Sequence, residues 1–251
     1  GAADLVELAD QVQNIEQMKR RLQRKLDRSR RATNPDNYAD NGTIRRGVKL
    51  THNKSNRYRR TQRELRYLQH CQAEIRKRQH IELANRLLAL GDCFYVEDMA
   101  WPSLTHRAKE TAISEKTGRI KRKKRFGKSV ANKAPATLIG ILEQKCNSLG
   151  LPGVMKVPTS LRASQYNHQS GEYTSKPLSQ RWNDMPDGER IQRDLYSAFL
   201  LQHYDPQAGN FNSALLQQDY PQFVQYHHRA IQRLSTAPKT LSSMGIQRSL
   251  R

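Results

Sequence analysis

Between Leu5 and Leu26 the apolar residues Leu5, Leu8, Val12, Ile15, Met18, Leu22 and Leu26 recur at steps of three or four, and nearly everything between them is polar or basic. That spacing predicts one long amphipathic helix with a narrow apolar stripe, a shape that must lie on another element and cannot be buried all round. Its other faces carry "KRRLQRKLDRSRR" at 19–31. The periodicity stops in "TNPDNYADNGTIRRG", where Asn-Pro, Asp-Asn and Asn-Gly mark turns in an exposed loop. A second helix is predicted over 54–90, with Tyr58, Leu65, Leu68, Ile75, Leu83 and Leu87 on one side and "NRYRRTQRELR" at its start. The two are expected to pack as an antiparallel hairpin, basic on the outside.

Composition extends this reading. A chain of 251 residues has room for one large domain or two small ones. Hydrophobic residues make up only 36%, so the core should be modest. Lys and Arg total 44 against 23 Asp and Glu, a net charge of +21. Such an excess favours a polyanionic partner, with nucleic acid ahead of an acidic membrane surface. No apolar run approaches the roughly 18 residues of a spanning helix, and no signal peptide is evident, so a soluble protein of the cytoplasm is expected. Cys71, Cys93 and Cys146 are widely separated and contain no C-x-x-C pair, which fits a reducing compartment and neither a disulfide framework nor a zinc knuckle.

Beyond Gly91, "CFYVEDM" at 93–99 reads as a short strand closing in Glu97 and Asp98. The densest basic block, "RIKRKKR" at 119–125, lacks apolar periodicity and reads as a loop. "APATLIGILEQKCNSLG" at 134–150 is a helix with Pro135 in its first turn and Gly150 at its stop, and "GVMKVPT" follows as a second strand. Residues 161–190 are polar and turn-rich. The segment 206–251 is rich in Gln and Ser, with a patchy helical signal. Between them, "GERIQRDLYSAFLLQH" at 188–203 is an amphipathic helix with one oddity. Asp194 falls three residues after Ile191, four before Ala198 and seven before Leu201, on the expected apolar face. A carboxylate there needs a cation, a metal or several donors. Only two strands are visible, too few for a complete α/β sheet, so others lie in the loops or upstream.

Several familiar chemistries are excluded. "FGKS" at 126–129 matches the end of a phosphate-binding loop, but the first glycine of that motif would fall on Arg122. The adjacent His227 and His228 have no partner at metal-ligand spacing, and no G-x-S-x-G is present. The acids remain. Glu97 reads equally as a solvated residue after a strand, and Asp194 as a helix-dipole or capping residue. Their functional reading is a pair of carboxylates holding divalent cations for phosphodiester hydrolysis, in which two metals roughly 3.5–4 Å apart activate water and stabilise the leaving oxygen.

"LQRKLDRSRRATNPDNY" at 22–38, "FYVEDM" at 94–99, "FGKSVANKAPATLIGILEQK" at 126–145 and "KPLSQRW" with "RIQRDLYSAFL" up to residue 200 together resemble the TnpB-type proteins of insertion sequences. Those proteins were long labelled transposases and are relatives of the compact type V CRISPR nucleases. The resemblance runs in order over residues 12–203. It implies an α/β fold: an RNase H-like (RuvC) nuclease domain, here incomplete and helix-rich, with a long basic helical hairpin. It also implies RNA-guided DNA endonuclease activity, with guide RNA and target DNA as partners and Mg²⁺ as cofactor. Three acids hold the Mg²⁺ in that family, and by this resemblance Glu97 matches the second and Asp194 the third. The first Asp lies on a "GxDxG"-like strand upstream of the "LQRKL" helix. Neither Asp4 nor Asp10 in "GAADLVELADQ" substitutes for it, so a chain truncated at its N-terminus, inactive by itself, is expected. The family often carries four zinc-binding cysteines around "KPLSQRW". Aligned on Gly171 and Gly188, those positions fall on Asn167, Ser170, Met185 and Asp187, so no zinc is expected there.

The expected organisation is therefore a hairpin at 1–90, a strand–helix–strand at 91–160, a cysteine-free insertion at 161–189, a last site-bearing helix at 190–205 and a tail at 206–251. Nucleic-acid contacts are expected from Lys19, Arg20, Arg21, Arg24, Lys25, Arg28, Arg30 and Arg31. Further contacts are expected from Arg119, Lys121, Arg122, Lys123, Lys124, Arg125, Lys128 and Arg181. The competing expectation is a non-cleaving nucleic-acid-binding remnant or repressor of the same family.

Overall fold

The computed structural model describes residues 2–40, 42–45, 47–105, 113–115, 118, 127–177, 179–238 and 241–248. The chain is mixed α/β and helix-rich, and it forms two compact units. One comprises Leu8–Asn85 and Arg107–Leu138, the other Gly1–Glu7, Arg86–His106 and Ile139–Arg251. Among the described residues no helix is long and apolar enough to cross a membrane.

The first unit is built on α1 (Gln13–Thr33) and α2 (Asn56–Leu88). Polar contacts along their seam set an antiparallel register. Gln79 donates to Asp10, Gln72 donates to Glu16 (2.8 Å), and Arg30 donates to the Tyr58 hydroxyl (3.3 Å). The first helix starts later than the apolar spacing implies. Ala9 takes a left-handed conformation (φ 47°), and one 3-10 turn precedes α1. Leu5 therefore belongs to the other unit, where it packs on the apolar core and Asp4 pairs with Arg233 at 2.6 Å. The buried stripe also differs from the apolar one. Met18 is exposed, while Glu16, Thr61, Gln72 and His80 are buried beside Val12, Leu22, Leu26, Tyr58 and Ala84. Each turn supplies polar groups that neighbour one another across the seam: Lys19 bonds both Glu16 and Gln72, so the buried carboxylate has both a cation and an amide.

Two asparagines organise the loop between these helices. The Asn34 amide exchanges hydrogen bonds with the backbone of Asn53, donating to its carbonyl (3.0 Å) and accepting from its N–H (2.6 Å). Asn37 does the same with Thr51. Both side chains are buried, and each substitutes for a rung of backbone pairing. The turn-rich composition read as an exposed loop thus forms an anchored one.

In the second unit, β1 (Cys93–Glu97) pairs in parallel with β2 (Gly153–Val157), Cys93 opposite Gly153 and Glu97 opposite Val157. A parallel pair requires a crossover, and in this unit it carries α3 (Trp101–Thr105) and most of α5 (Pro135–Leu149), while α4 (Gly127–Lys133) belongs to the first unit. Gly153 sits at φ 88°, and a Cβ there would lie 3.5 Å from that of the fully buried Cys146 on α5. The turn-rich stretch after β2 contains an antiparallel ladder, β3 (Trp182–Asp184) with β4 (Arg190–Gln192). β4 runs directly into α6 (Arg193–Gln202). A two-residue ladder, β5 (Tyr204–Asp205) with β6 (Asn210–Phe211), leads to α7 (Ser213–Thr236).

The patchy signal after Pro206 is thus a continuous helix. Its buried residues Leu216, Tyr220, Phe223, His227 and Ala230 keep a three–four spacing, but one slot holds a histidine. They meet Leu195, Tyr196, Phe199 and Leu200 of α6 in an aromatic core, in which Phe199 and Phe223 stack at 4.4 Å. Within this unit α6 also packs against β1 and β4.

Asn37→Ala removes both hydrogen bonds to the backbone of Thr51, each with a net worth of about 0.5–1.5 kcal/mol. The expected cost is about 1–3 kcal/mol of unfolding free energy, read from urea denaturation.

Candidate functional site

The carboxylate of Glu97 closes β1, where the chain leaves the parallel pair: the Asp98 N–H donates to the Val157 carbonyl (2.9 Å) and the Met99 N–H to the Glu97 carbonyl (2.8 Å). The side chain is half-buried, and among the described residues its carboxylate has neither an ion pair nor a hydrogen bond. Desolvation pushes its pKa above the usual glutamate value. A half-buried acid at a strand end, with no compensating donor among the described residues, is a candidate ligand for a cation.

Asp194 is placed differently. It stands in the first turn of α6, with a side chain 39% exposed. The stripe that α6 buries is Leu195, Tyr196, Phe199 and Leu200, while Ala198 is exposed and Leu201 half-buried. Asp194 therefore lies on the shoulder of the helix and not on its apolar face, which corrects the expectation from Ile191, Ala198 and Leu201. Ile191 itself belongs to β4, before the helix begins, and so does not define a helical face.

Two immediate neighbours meet the Asp194 carboxylate. Gln192 donates from Nε2 to one oxygen (3.2 Å), and the buried Arg193 guanidinium approaches the other (3.5 Å). Arg193 is held in turn by the Gln180 carbonyl (3.1 Å). Gln192 is the N-cap of α6: its Oε1 accepts the Leu195 N–H (2.8 Å). Its backbone N–H donates to Nε2 of His227 on α7 (3.0 Å), and Nε2 of the same amide also donates to the Met244 carbonyl (3.2 Å). Sequence reasoning missed Gln192 and Arg193 as the groups that orient the acid. The available signal was the polar pair immediately before a helix-opening Asp.

His227 and His228, dismissed above as metal ligands, grip the strand that leads into α6. His228 bonds Glu189 (2.9 Å) beside β4, and His227 accepts from Gln192 at its end. Because Nε2 of His227 accepts an amide proton, its ring proton must reside on Nδ1, which is buried without a partner among the described residues. A second proton would have to displace the Gln192 amide. Burial and the neighbouring His228 hold its pKa down to about 4.

The four positions aligned with zinc cysteines lie in two turns joined by protein contacts. Gln169 donates its side chain to Asp187 (2.8 Å), the Gln169 N–H donates to the Asn167 side chain (3.0 Å), and the Gly188 N–H donates to the Met185 carbonyl (3.0 Å). Gly171 (φ 72°) and Gly188 (φ 87°) supply the left-handed positions these turns need.

The expected phosphate contacts divide into two groups. Arg20, Arg21, Arg24, Arg28 and Arg31 are exposed on α1, and Lys25 is half-buried. Lys19 and Arg30 are engaged in the hairpin seam by Glu16, Gln72 and Tyr58. Exposed Arg57, Arg59, Arg60, Arg63 and Arg66 extend the basic surface along α2. Arg119, Lys121, Arg122, Lys123, Lys124 and Arg125, with the side chain of Lys128, lie outside the described residues. Arg181 is half-buried beside β3.

Of the two acids, Glu97 ends β1 and Asp194 opens α6, and these elements pack together. Among the described residues no three His, Cys, Asp or Glu side chains cluster as a metal site. The chain matches no protein-family model, and no curated protein matches it.

The His227 arrangement has a pH signature. Below pH 6.5 the unfolded chain binds a proton at this imidazole and the folded chain does not, so stability is complete above 6.5 and falls as the pH drops toward 4. The gap corresponds to about 3 kcal/mol. His227→Gln, which can still accept the amide proton, is expected to flatten the denaturation profile between those two pH values relative to the parent.

Proposed function

We propose that this chain is the part of a TnpB-like RNA-guided DNA endonuclease that carries the second and third metal-binding acids. The observation that carries the reading is the desolvated carboxylate of Glu97, without a partner among the described residues, at the end of a parallel strand against which α6, the helix opened by Asp194, packs. Carboxylate oxygens are the donors that Mg²⁺ prefers, and the reading assigns both acids to it, with a third carboxylate from outside the described residues. Such ions supply an activated water and charge stabilisation on the leaving oxygen.

The chain's own residues then have separate tasks. Glu97 offers a ligand whose uncompensated burial favours exchange of a proton for a cation. Gln192 and Arg193 fix the rotamer of Asp194 so that it need not be ordered on binding. The exposed arginines of α1 and α2 contact backbone phosphates, while base pairing to the guide selects the sequence.

The test is Mg²⁺-dependent cleavage of target DNA by the product of the complete reading frame, purified with its RNA. Glu97→Gln and Asp194→Asn keep shape and remove charge, and each should reduce cleavage by more than about 100-fold while leaving RNA bound. Cleavage that persists in both variants contradicts the assignment. RNA and DNA binding with no cleavage in the parent selects the non-cleaving binder instead.

A further inference from the structure

We infer that the groove beside the β3–β4 ladder and the segment 241–247 is a stacking site for an unpaired base of single-stranded nucleic acid, with the Trp182 ring as its platform. The inference rests on the nucleic-acid partner proposed above and not on cleavage. The groove opens to solvent and has a volume of about 590 Å³, within the range of pockets that hold molecules of nucleotide size. Arg181, Trp182, Arg190, Ile231, Gly245 and Ile246 line it.

Trp182 is half-buried and fixed in orientation. Its Nε1 donates to the Gly245 carbonyl (3.0 Å), and its ring meets the edge of His227 at 6.1 Å. The close approach requires glycine: a Cβ on Gly245 would lie 2.6 Å from that of Arg181 and 3.0 Å from the indole nitrogen, at φ 79°. The segment 241–247 is therefore fitted to the indole, with the fully buried Ile246 beside it.

Arg190 covers the ring, its guanidinium carbon 5.6 Å from the centroid. Its ion pair with Asp184 spans 3.7 Å between side chains 71% and 86% exposed, a contact of little strength. A base can take the place of that guanidinium on the indole face, and the released Arg190, with Arg181, then meets the flanking phosphates. Stacking on an aromatic face is tolerant of base identity, which suits a protein whose sequence choice is made by pairing. A tryptophan that served only as a wedge between ladder and C-terminal segment would need no arginine over its face and no adjoining groove.

The chain has two tryptophans, so Trp101→Phe leaves Trp182 as the sole indole reporter. In that background the full chain is titrated with a thymidine deoxyoligonucleotide, a uridine oligoribonucleotide and, as a base-free polyanion, inorganic polyphosphate. Saturable quenching by either oligonucleotide, with none by polyphosphate, is expected. Read by the anisotropy of a fluorescein-labelled oligonucleotide, which needs no indole, Trp182→Ala should weaken binding about tenfold or more and Trp182→Phe less, and Arg190→Ala should lower the salt dependence. Absence of quenching, equal quenching by polyphosphate, or unchanged affinity in folded Trp182→Phe and Trp182→Ala overturns the inference. Quenching is measured without divalent cation and cleavage requires it, so failure of the nuclease reading and failure of this one are separate results.

Discussion

The hydrogen bonds of Gln192 fix the point where β4 becomes α6, and the second unit is arranged around that point. One fully buried residue caps the helix through Leu195, ties its own backbone to α7 through His227, holds the C-terminal segment through Met244 and touches Asp194. A buried amide is costly unless each of its polar groups finds a partner, so these elements are mutually dependent. The aromatic core of α6 and α7 provides the apolar burial, and Gln192 determines which way α6 points when it joins that core.

A chain with so large an excess of positive charge must decide which charges to spend on its own fold. Lys19 and Arg30 are spent in the hairpin seam, and Arg193 on Asp194 and the Gln180 carbonyl. The exposed arginines of α1 and α2 are left facing solvent, where like charges repel unless a polyanion is present. The two candidate acids show the opposite contrast. Asp194 is steadied by its neighbours, whereas Glu97 is desolvated and has no partner among the described residues, so a bound cation would relieve Glu97 most.

Much of the secondary structure was legible because it depends on local patterning. The strand at Glu97, the helix of Pro135–Leu149 and the strand that follows were each readable from apolar runs and Gly or Pro punctuation. The misreadings have a common physical cause, which is polar residues in buried slots. Glu16, Gln72 and His80 occupy the hairpin seam, His227 interrupts the stripe of α7, and Asn34 and Asn37 pair with the backbone in a stretch whose composition reads as loose. Hydrophobic periodicity cannot register a buried group whose partner lies far away in sequence. The same limit applies to the candidate site: Asp194 stood out in the sequence as a candidate, but its place on the helix shoulder depends on where the Gln192 cap starts the helix, a tertiary fact.

The central claim is that Glu97 and Asp194 share one divalent cation, and metal-directed backbone cleavage tests it directly. Fe²⁺ substituted for Mg²⁺ and treated with ascorbate and peroxide cuts the chain beside its ligands. The account predicts cuts in both 93–99 and 190–196, each suppressed by Glu97→Gln and by Asp194→Asn. Cuts confined to one segment, or cuts unaffected by either substitution, would contradict it.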